Sequence, residues 1–413
     1  MPTPLAILPV SALLLGVTGL VVGTGVLGVL LPLRGVAEGF STYGVAVMGG
    51  GYFLGFIAGC LLTPRLVERV GHIRLFASLA AICAATVLVH ALAVNLPVWI
   101  AARMVTGFAV AGLYIVIESW LNHQATNETR GRLFAVYMVV NFVALMTGQL
   151  LMVVMEVGAV TPFLVTCLAV CLSLVPVALS RTTAPVAEPT EPLSLLALYR
   201  ISPLGTVGCV LVGIANGSFW SLGPVFGAEQ LGSTALAAVF VSVFVLGGAV
   251  GQWPIGRLSD RWDRRKAIVV TCLAAGLGGV LMVVWPGGSL ATLVWGGVTG
   301  VFMLSIYSLC VAHTNDHVQS KDFVAASSGL LLYYGLGAVS GPILAAALMS
   351  ELGPRFLFLW TAVAHLALAG FAMYRMGRRG PVAATDREDF VPMLRPVPVA
   401  TDMDPRAPTD SAP

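Results

Sequence analysis

Charged residues are scarce in this sequence of 413 residues: they make up only 10% of it, against 58% hydrophobic residues and a mean hydropathy of +0.92. Soluble domains carry roughly 25% charged residues, so the composition excludes an ordinary soluble protein and indicates a membrane protein. The net charge is only +3, without the concentrated basic face that nucleic-acid binding requires. We therefore expect the lipid bilayer, and no nucleic acid, among the partners.

Motifs for several chemistries are missing as well. The seven cysteines lie in or beside apolar runs and form no Cys-x-x-Cys pair, so we interpret them as small buried hydrophobic residues. The sequence has no phosphate-binding loop, which argues against ATP-driven pumping, and we expect no metal and no cofactor. The first basic residue is Arg34, after the first apolar run. That run therefore lacks the charged start of a signal peptide, and we expect it to remain as a membrane span.

Long apolar runs are abundant instead. Their lengths lie near the roughly 20 residues that cross a hydrocarbon core of about 30 Å. Abundant Leu, Ala and Gly predict helices, because strands exposed to lipid would have to close into a barrel. The twelve runs are residues 8–33, 42–63, 74–94, 97–121, 133–155, 160–180, 203–227, 234–255, 267–286, 290–313, 325–349 and 354–376.

Basic residues distinguish the two faces of the membrane. With the N-terminus inside, nineteen of the 22 Lys and Arg residues fall in the inner links and the C-terminal region. Short cytoplasmic links are enriched in these residues. This predicts a multi-pass protein of the cell (inner) membrane with both termini in the cytoplasm, and we expect it to be a monomer.

Two shifts in composition divide the chain. Residues 181–202 hold three prolines and mixed charges, so we expect a cytoplasmic linker between an N-terminal bundle, residues 1–180, and a C-terminal bundle, residues 203–380. After residue 380 the sequence turns to Pro, Asp and Thr without apolar periodicity. This predicts a disordered cytoplasmic tail over residues 381–413.

A charged link after the second run recurs after the eighth. Residues 256–266 read Gly-Arg-Leu-Ser-Asp-Arg-Trp-Asp-Arg-Arg-Lys, and 192 positions earlier residues 64–74 read Pro-Arg-Leu-Val-Glu-Arg-Val-Gly-His-Ile-Arg. Other pairs at offsets of 192 or 193 are Gly25 and Gly217, Gly55 and Gly247, Gly107 and Gly300, and Gly148 and Gly341. These matches predict a duplicated unit of six helices, and the two copies run the same way about an axis along the membrane normal.

With this duplicated link and twelve helices, the chain resembles the major facilitator superfamily over essentially all of residues 1–380. The family signature is Gly-x-x-x-Asp-Arg/Lys-x-Gly-Arg-Arg/Lys. The second copy has Asp263 where glycine is usual, and the first has Pro64 for the leading glycine and His72 in the basic pair. The resemblance implies an all-α membrane protein with twelve transmembrane helices in two parallel-repeat six-helix bundles.

The resemblance also implies a gate at this link on the cytoplasmic side, where Asp260 beside Arg261 latches the closed state. The alternative is that the links act only as topology signals, and this is how we interpret Arg264, Arg265 and Lys266. The residues of the implied gate are Glu68, Arg69, Gly71, Gly256, Asp260, Arg261 and Arg265.

Two charged residues lie inside a predicted span, where charge is costly and usually faces a wet cavity or the bundle interior. Arg103 and Glu118 share one face of the fourth helix, but they lie about 22 Å apart and cannot pair. The second half has Gly296 and Val311 at the matching positions. Arg103 with Gly107 resembles a pattern of proton-coupled members, so one hypothesis is proton coupling through Glu118, tuned or gated by Arg103. The alternative is that both side chains anchor the helix at the membrane interfaces.

The resemblance implies that the first, fourth, seventh and tenth helices line a substrate cavity. Candidate contacts are the polar and aromatic side chains on these helices, with Asn141 on the fifth added. Asn216 in particular needs a hydrogen-bond partner within a lipid span. The candidates are Thr24, Tyr114, Asn141, Asn216, Phe219, Trp220 and Tyr307.

Together these expectations describe a secondary transporter, and no enzyme, that moves small organic solutes by alternating access. The few charges suit a neutral, zwitterionic or moderately hydrophobic solute, and proton-coupled export (efflux) is our first choice. A facilitator or importer of sugar-like or amino-acid-like solutes is the alternative. From a different class, the chain could be a membrane sensor that kept the transporter fold without flux.

Overall fold

The computed structural model describes residues 8–125, 129–179, 194–285, 287–319 and 322–378, with residues 380, 382, 387 and 390–393. Throughout these residues the regular structure is helical, and twelve segments are long and apolar enough to cross a membrane. The predicted fold class is thereby confirmed. The helices are α1 (Leu8–Ala37), α2 (Thr42–Val70), α3 (His72–Leu92), α4 (Leu96–Gln124), α5 (Arg130–Leu151), α6 (Thr161–Ala178), α7 (Leu195–Ile201), α8 (Pro203–Leu231), α9 (Thr234–Arg261), α10 (Arg264–Val284), α11 (Ser289–Met303), α12 (Ile306–Asn315), α13 (Phe323–Leu352) and α14 (Phe356–Met376).

The tenth span is interrupted, although the sequence predicts one continuous run over residues 290–313. Helix α11 ends at Met303 and α12 begins at Ile306. The side-chain amide of Gln252 on α9 donates a hydrogen bond of 3.2 Å to the Leu304 carbonyl at this break. A neighbouring polar side chain thus satisfies a backbone group at the break, as an interrupted span requires.

The packing of the helices repeats between the two halves. In the first half α1 packs on α5 and α6, α2 on α4, and α3 on α4 and α6. In the second half α8 packs on α13 and α14, α9 on α11, and α10 on α11 and α14. Across the interface, the contact of α2 with α13 has its counterpart in the contact of α9 with α5. The sequence repeat is therefore also a repeat of helix packing.

Glycines bring the crossing helices of each bundle close together. A side chain at Gly107 would meet the Tyr52 carbonyl oxygen, so α4 lies directly against the backbone of α2. In the second half a side chain at Gly300 would meet the Phe244 carbonyl oxygen in the same way. Small residues at such crossings allow close van der Waals packing, which drives helix association in lipid.

The predicted linker over residues 181–202 lies partly outside the described residues. Where it is described, it forms the short helix α7, and Leu198 within it is fully buried. The Tyr333 hydroxyl of α13 donates a hydrogen bond of 2.9 Å to the Leu195 carbonyl. The end of the linker is therefore a docked helix.

Most of the predicted disordered tail, residues 381–413, also lies outside the described residues. Where it is described, Arg387 and residues 390–393 contact the second bundle, and Met393 is buried. The structure places these residues on the second bundle, whereas the sequence predicts disorder for them. The physical reason is a short apolar stretch, Phe390-Val391-Pro392-Met393, within an otherwise polar sequence.

Candidate functional site

A cavity of about 740 Å³, measured with its opening, lies between the two bundles. Helices α1, α2 and α4 of the first bundle and α8 and α13 of the second form its wall, so a solute inside it contacts both halves. Among the lining residues Arg103 carries the only charge. The lining residues are Thr24, Leu27, Gly28, Tyr52, Phe53, Phe56, Arg103, Thr106, Val110, Trp220, Ser221 and Tyr334.

The single cation of the cavity is held by an aromatic ring. The Arg103 guanidinium carbon on α4 lies 4.3 Å from the centroid of the Tyr52 ring on α2. Such a cation–π contact contributes about 0.5–2 kcal/mol, depending on how far it is desolvated. It fixes Arg103 at the wall, where its charge attracts an anionic or hydrogen-bond-accepting group of a solute.

The rest of the wall is aromatic with few polar groups. The rings of Phe53 and Tyr334 meet edge to face at 6.4 Å and join the two bundles. The Thr106 hydroxyl donates to the Ala102 carbonyl at 2.8 Å. In contrast, the Ser221 hydroxyl has no hydrogen-bond partner among the described residues. This hydroxyl is buried against Gly49 of α2, so it lies behind the open surface of the cavity.

Three of the predicted cavity residues lie in this region. Thr24 and Trp220 line the cavity, and Phe219 lines a smaller one of about 270 Å³ that shares both of them. Phe219 also stacks on Phe244 with ring centroids 3.8 Å apart. The remaining four candidates, Tyr114, Asn141, Asn216 and Tyr307, are buried outside these two cavities.

Helices α2 and α13 contribute wall residues that sequence reasoning missed. Tyr52, Phe53 and Phe56 come from α2, and Tyr334 from α13. A signal was available in the sequence, because three aromatic residues within one helical turn are unusual in the glycine-rich run of residues 42–63.

Glu118 lies apart from Arg103, as the helical rise predicts. Its carboxylate is buried between α4 and α5, and the Tyr137 hydroxyl donates a hydrogen bond of 2.9 Å to Oε1. The Asn141 amide donates to the Tyr137 carbonyl at 2.9 Å. An ionisable group thus sits inside the first bundle within a hydrogen-bonded cluster, while the second bundle has Val311 at the matching position.

A buried ion pair lies at the charged link of the second bundle. The Arg264 Nε at the start of α10 is 3.2 Å from the Asp316 Oδ2 at the end of α12, and each side chain is only 2% exposed. Arg264 Nη2 also lies 3.5 Å from Asp260 Oδ1 on α9. The structure therefore pairs Asp260 with Arg264, whereas Arg261 is exposed. Arg264 thus joins three helices, which is more than a topology signal alone requires.

Asp263 explains why this copy departs from the family signature. Its carboxylate caps the start of α10 by accepting from the Arg265 backbone N–H at 3.1 Å, and it binds the Arg265 guanidinium at 2.7 Å. Burial would raise the pKa of the Asp263 carboxyl, but the hydrogen bonds and the charge of Arg265 outweigh burial and lower it below its usual value. Arg265 is thus a buried partner and more than a topology signal.

The first bundle has no equivalent ion pair within the part of the chain described. Glu68 and Arg69 are exposed, and Gly71 ends α2 with a φ of +80° that favours glycine. His72 occupies the position of Arg264 in the repeat, and its Nε2 lies 3.1 Å from the Ser119 hydroxyl. The counterpart of Asp316 is His123. Among the described residues, the buried ion pair at the charged link therefore belongs to the second bundle.

Twelve membrane-spanning helices in two packed bundles, with a cavity walled by both of them, define a multi-pass membrane transporter. The sequence profile of the Major Facilitator Superfamily matches residues 13–298 and 208–401. The chain belongs to the major facilitator superfamily, and it is a transporter and not an enzyme.

Individual relatives agree with this assignment. The chain is 32% identical over 358 residues to the uncharacterized MFS-type transporter YcaD of Escherichia coli (strain SE11). The matched region covers 86% of this chain and 92% of YcaD. The fold is similar to that of the nucleoside transporter NupG, with a TM-score of 0.75, 13% identity, and 89% of this chain and 98% of NupG covered. It is also similar to a bacterial homologue of the human lysosomal transporter Spinster, with a TM-score of 0.74, 16% identity, and 94% and 99% covered.

Proposed function

We propose that this protein is a secondary transporter that exports small, moderately hydrophobic organic solutes across the cell (inner) membrane, with both of its termini in the cytoplasm. The observation that carries the proposal is the cavity of about 740 Å³ between the bundles. An aromatic wall with one cation, Arg103, suits an apolar solute that carries a single anionic or accepting group. Such solutes partition into bilayers, so a cell gains more from a carrier that expels them than from one that admits them.

Alternating access follows from the repeated packing. The two contacts between α2 and α13 and between α5 and α9 are related by the repeat. A rocking motion that opens one face and closes the other can therefore preserve equivalent contacts around a fixed central site. In this scheme Gly256 and Asp260 of α9 contribute to the gate on the face that carries the charged links. Arg264, and not Arg261, is the cation that pairs with Asp260 in this gate.

The first experiment identifies a ligand and then measures flux. Purified protein is screened for solutes that raise its thermal midpoint, and the best solute is loaded into vesicles that contain the protein, with and without a pH gradient. Transport predicts protein-dependent flux, whereas a sensor of the same fold would bind the solute without moving it. A facilitator would give flux that does not respond to the gradient.

We expect Arg103→Gln to weaken binding of that solute about tenfold, or about 1.4 kcal/mol, because the cavity loses its only charge. Affinity is measured by titration of the purified variant. Arg355→Gln is the matched control: Arg355 lies outside the cavity, where its Nε donates to Gln230 at 3.0 Å. Equal loss of affinity in both variants would show that Arg103 has no specific role.

We expect Glu118→Gln to abolish the response of flux to a pH gradient, because the only buried carboxylate that α4 provides can no longer exchange a proton. Exchange of labelled for unlabelled solute at equal pH should persist, since exchange requires no net proton movement. Glu156→Gln, at an exposed carboxylate in the link after α5, should keep the full response. Gradient-driven flux that survives in Glu118→Gln would refute proton coupling at this residue.

A further inference from the structure

The C-terminal tail follows helix α9 inward from the charged link. We name Arg387 and residues 390–393 the C-terminal strap. The Arg387 guanidinium donates to the Trp262 carbonyl at 2.6 Å, and the Phe390 backbone N–H donates to the Asp260 carboxylate at 3.0 Å. Deeper along α9, the Gln252 side-chain amide donates to the Met393 carbonyl at 3.2 Å. Ten residues of α9 correspond to about 15 Å of rise, so the strap reaches well into the span.

The inner end of the strap satisfies polar groups that are buried in the membrane region. The Met393 N–H donates to the Ser308 hydroxyl on α12 at 3.1 Å, and Gln252, Ser308 and Met393 are each no more than 4% exposed. A lipid-embedded amide or hydroxyl is costly without a hydrogen-bond partner. Gln252 on α9 and Ser308 on α12 therefore bind the Met393 backbone in the groove between these two helices, and the Met393 side chain is buried there.

The strap covers Gly256, a residue of the gate proposed above. The Phe390 ring lies directly against Gly256, so closely that a side chain at Gly256 would collide with it. The Asp260 carboxylate accepts from the Phe390 backbone. Another helix cannot pack on Gly256 while this ring occupies its surface. A docked strap and closure of the charged face through Gly256 are therefore mutually exclusive.

We propose that the C-terminal strap is an autoinhibitory segment that holds the charged face open while it is docked and that must leave the groove between α9 and α12 before this face closes. The proposal rests on the alternating-access function above. Docking consists of a few hydrogen bonds and the three apolar side chains of Phe390, Val391 and Met393, so a single substitution in the strap is enough to shift the balance towards release. The rate of transport would then rise with the fraction of molecules in which the strap has left the groove.

Phe390→Asp tests the proposal in the full-length protein, because it removes the ring from Gly256 and places a second carboxylate beside Asp260. Docking is measured by hydrogen exchange of the backbone amides of residues 390 and 393, and transport is measured as flux in vesicles. We expect exchange at least about tenfold faster and flux at least about threefold faster. Leu196→Asp, a similar change at an α7 side chain that is 56% exposed, is the control and should alter neither quantity.

The two readouts separate the possible failures. Fast exchange with flux equal to or below the wild-type value would overturn autoinhibition. Amides that exchange equally fast in the wild type and in Phe390→Asp would overturn docking itself. Fast exchange in Phe390→Asp with no flux in any variant would refute both the strap's inhibitory role and the transport function, whereas flux in the wild type with unchanged flux in Phe390→Asp would refute the strap alone.

Discussion

Asp316→Ala is expected to destabilise the protein by about 3–5 kcal/mol, because it leaves Arg264 buried without its main partner. Both side chains are 2% exposed, and the pair joins the start of α10 to the end of α12. Asp260 compensates only in part, since it lies 3.5 Å from the other guanidinium nitrogen and is itself 38% exposed. The effect is measured as a lower thermal midpoint of the purified protein in detergent.

Two further variants test whether the loss of stability comes from the unpaired buried charge of Arg264 and not simply from removing a carboxylate. Asp260→Asn should cost no more than about 1 kcal/mol, because an exposed ion pair contributes little. The double variant Arg264→Met with Asp316→Leu should recover most of the loss, since apolar residues of similar size often replace a buried pair without cost. An unchanged midpoint in Asp316→Ala would show that water reaches the pair.

The first bundle offers a comparison at the equivalent position. His72→Gln removes the contact between the His72 ring and the Ser119 hydroxyl. Its expected cost is about 1 kcal/mol, the usual net value of a neutral hydrogen bond. The repeat therefore predicts a large effect in the second half and a small one in the first at matching positions.

The arrangement of helices was predictable because it depends on local properties of the sequence. A span needs only length and hydropathy, and close crossings need only small residues at a fixed spacing, as Gly55 with Gly59 and Gly247 with Gly251 show. Both signals occur twice, so the repeat reinforced each of them. The break at Leu304 was missed because nothing in the local run departs from an apolar helix.

The ion pair between Arg264 and Asp316 could not be predicted from the link alone. Its two members are separated by 52 positions, and a cluster of basic residues indicates topology equally well. The comparison of the two halves held a signal, because His72 and His123 replace both members of the pair at once. A joint change at two matched positions indicates that the positions are in contact.

The wall of the cavity was only partly predictable for a different reason. In a span that is apolar on every face, hydropathy does not distinguish a side chain that faces the cavity from one that packs on a neighbour. Tyr114 and Tyr307 match in the repeat and are both buried, whereas the wall residues Tyr52 and Tyr334 lie on helices that we did not consider. Which face of a helix borders the cavity is set by the contact between the bundles.

Gly107→Ala is expected to cost about 3 kcal/mol, at the upper end for overpacking, because the added methyl group meets backbone atoms. Its nearest neighbours would be the Tyr52 carbonyl oxygen and the Phe56 backbone nitrogen. A flexible side chain could move aside, but here α2 and α4 must separate. The measurement is again the thermal midpoint, and Gly300→Ala should behave alike because Gly300 meets the Phe244 backbone in the same way.

Gly28→Ala distinguishes this steric effect from the loss of glycine as such. Gly28 lies on the cavity wall and has no neighbouring atom within 4 Å of an added methyl group. This variant should therefore keep its thermal midpoint but bind solute differently, since the methyl group enters the cavity. A similar loss of stability in both variants would show that glycine itself, and not the close crossing, matters at Gly107.

The crossing at Gly107 also connects stability with binding. Arg103 lies one turn before Gly107 on α4, and its position above the Tyr52 ring depends on the close approach that Gly107 allows. Separating α2 from α4 would move the cation away from this ring, so Gly107→Ala should lose affinity for the solute even at temperatures where it remains folded. Arg103→Gln should lose affinity while its thermal midpoint changes little. A Gly107→Ala variant that binds like the wild type would show that Arg103 takes its position independently of this crossing.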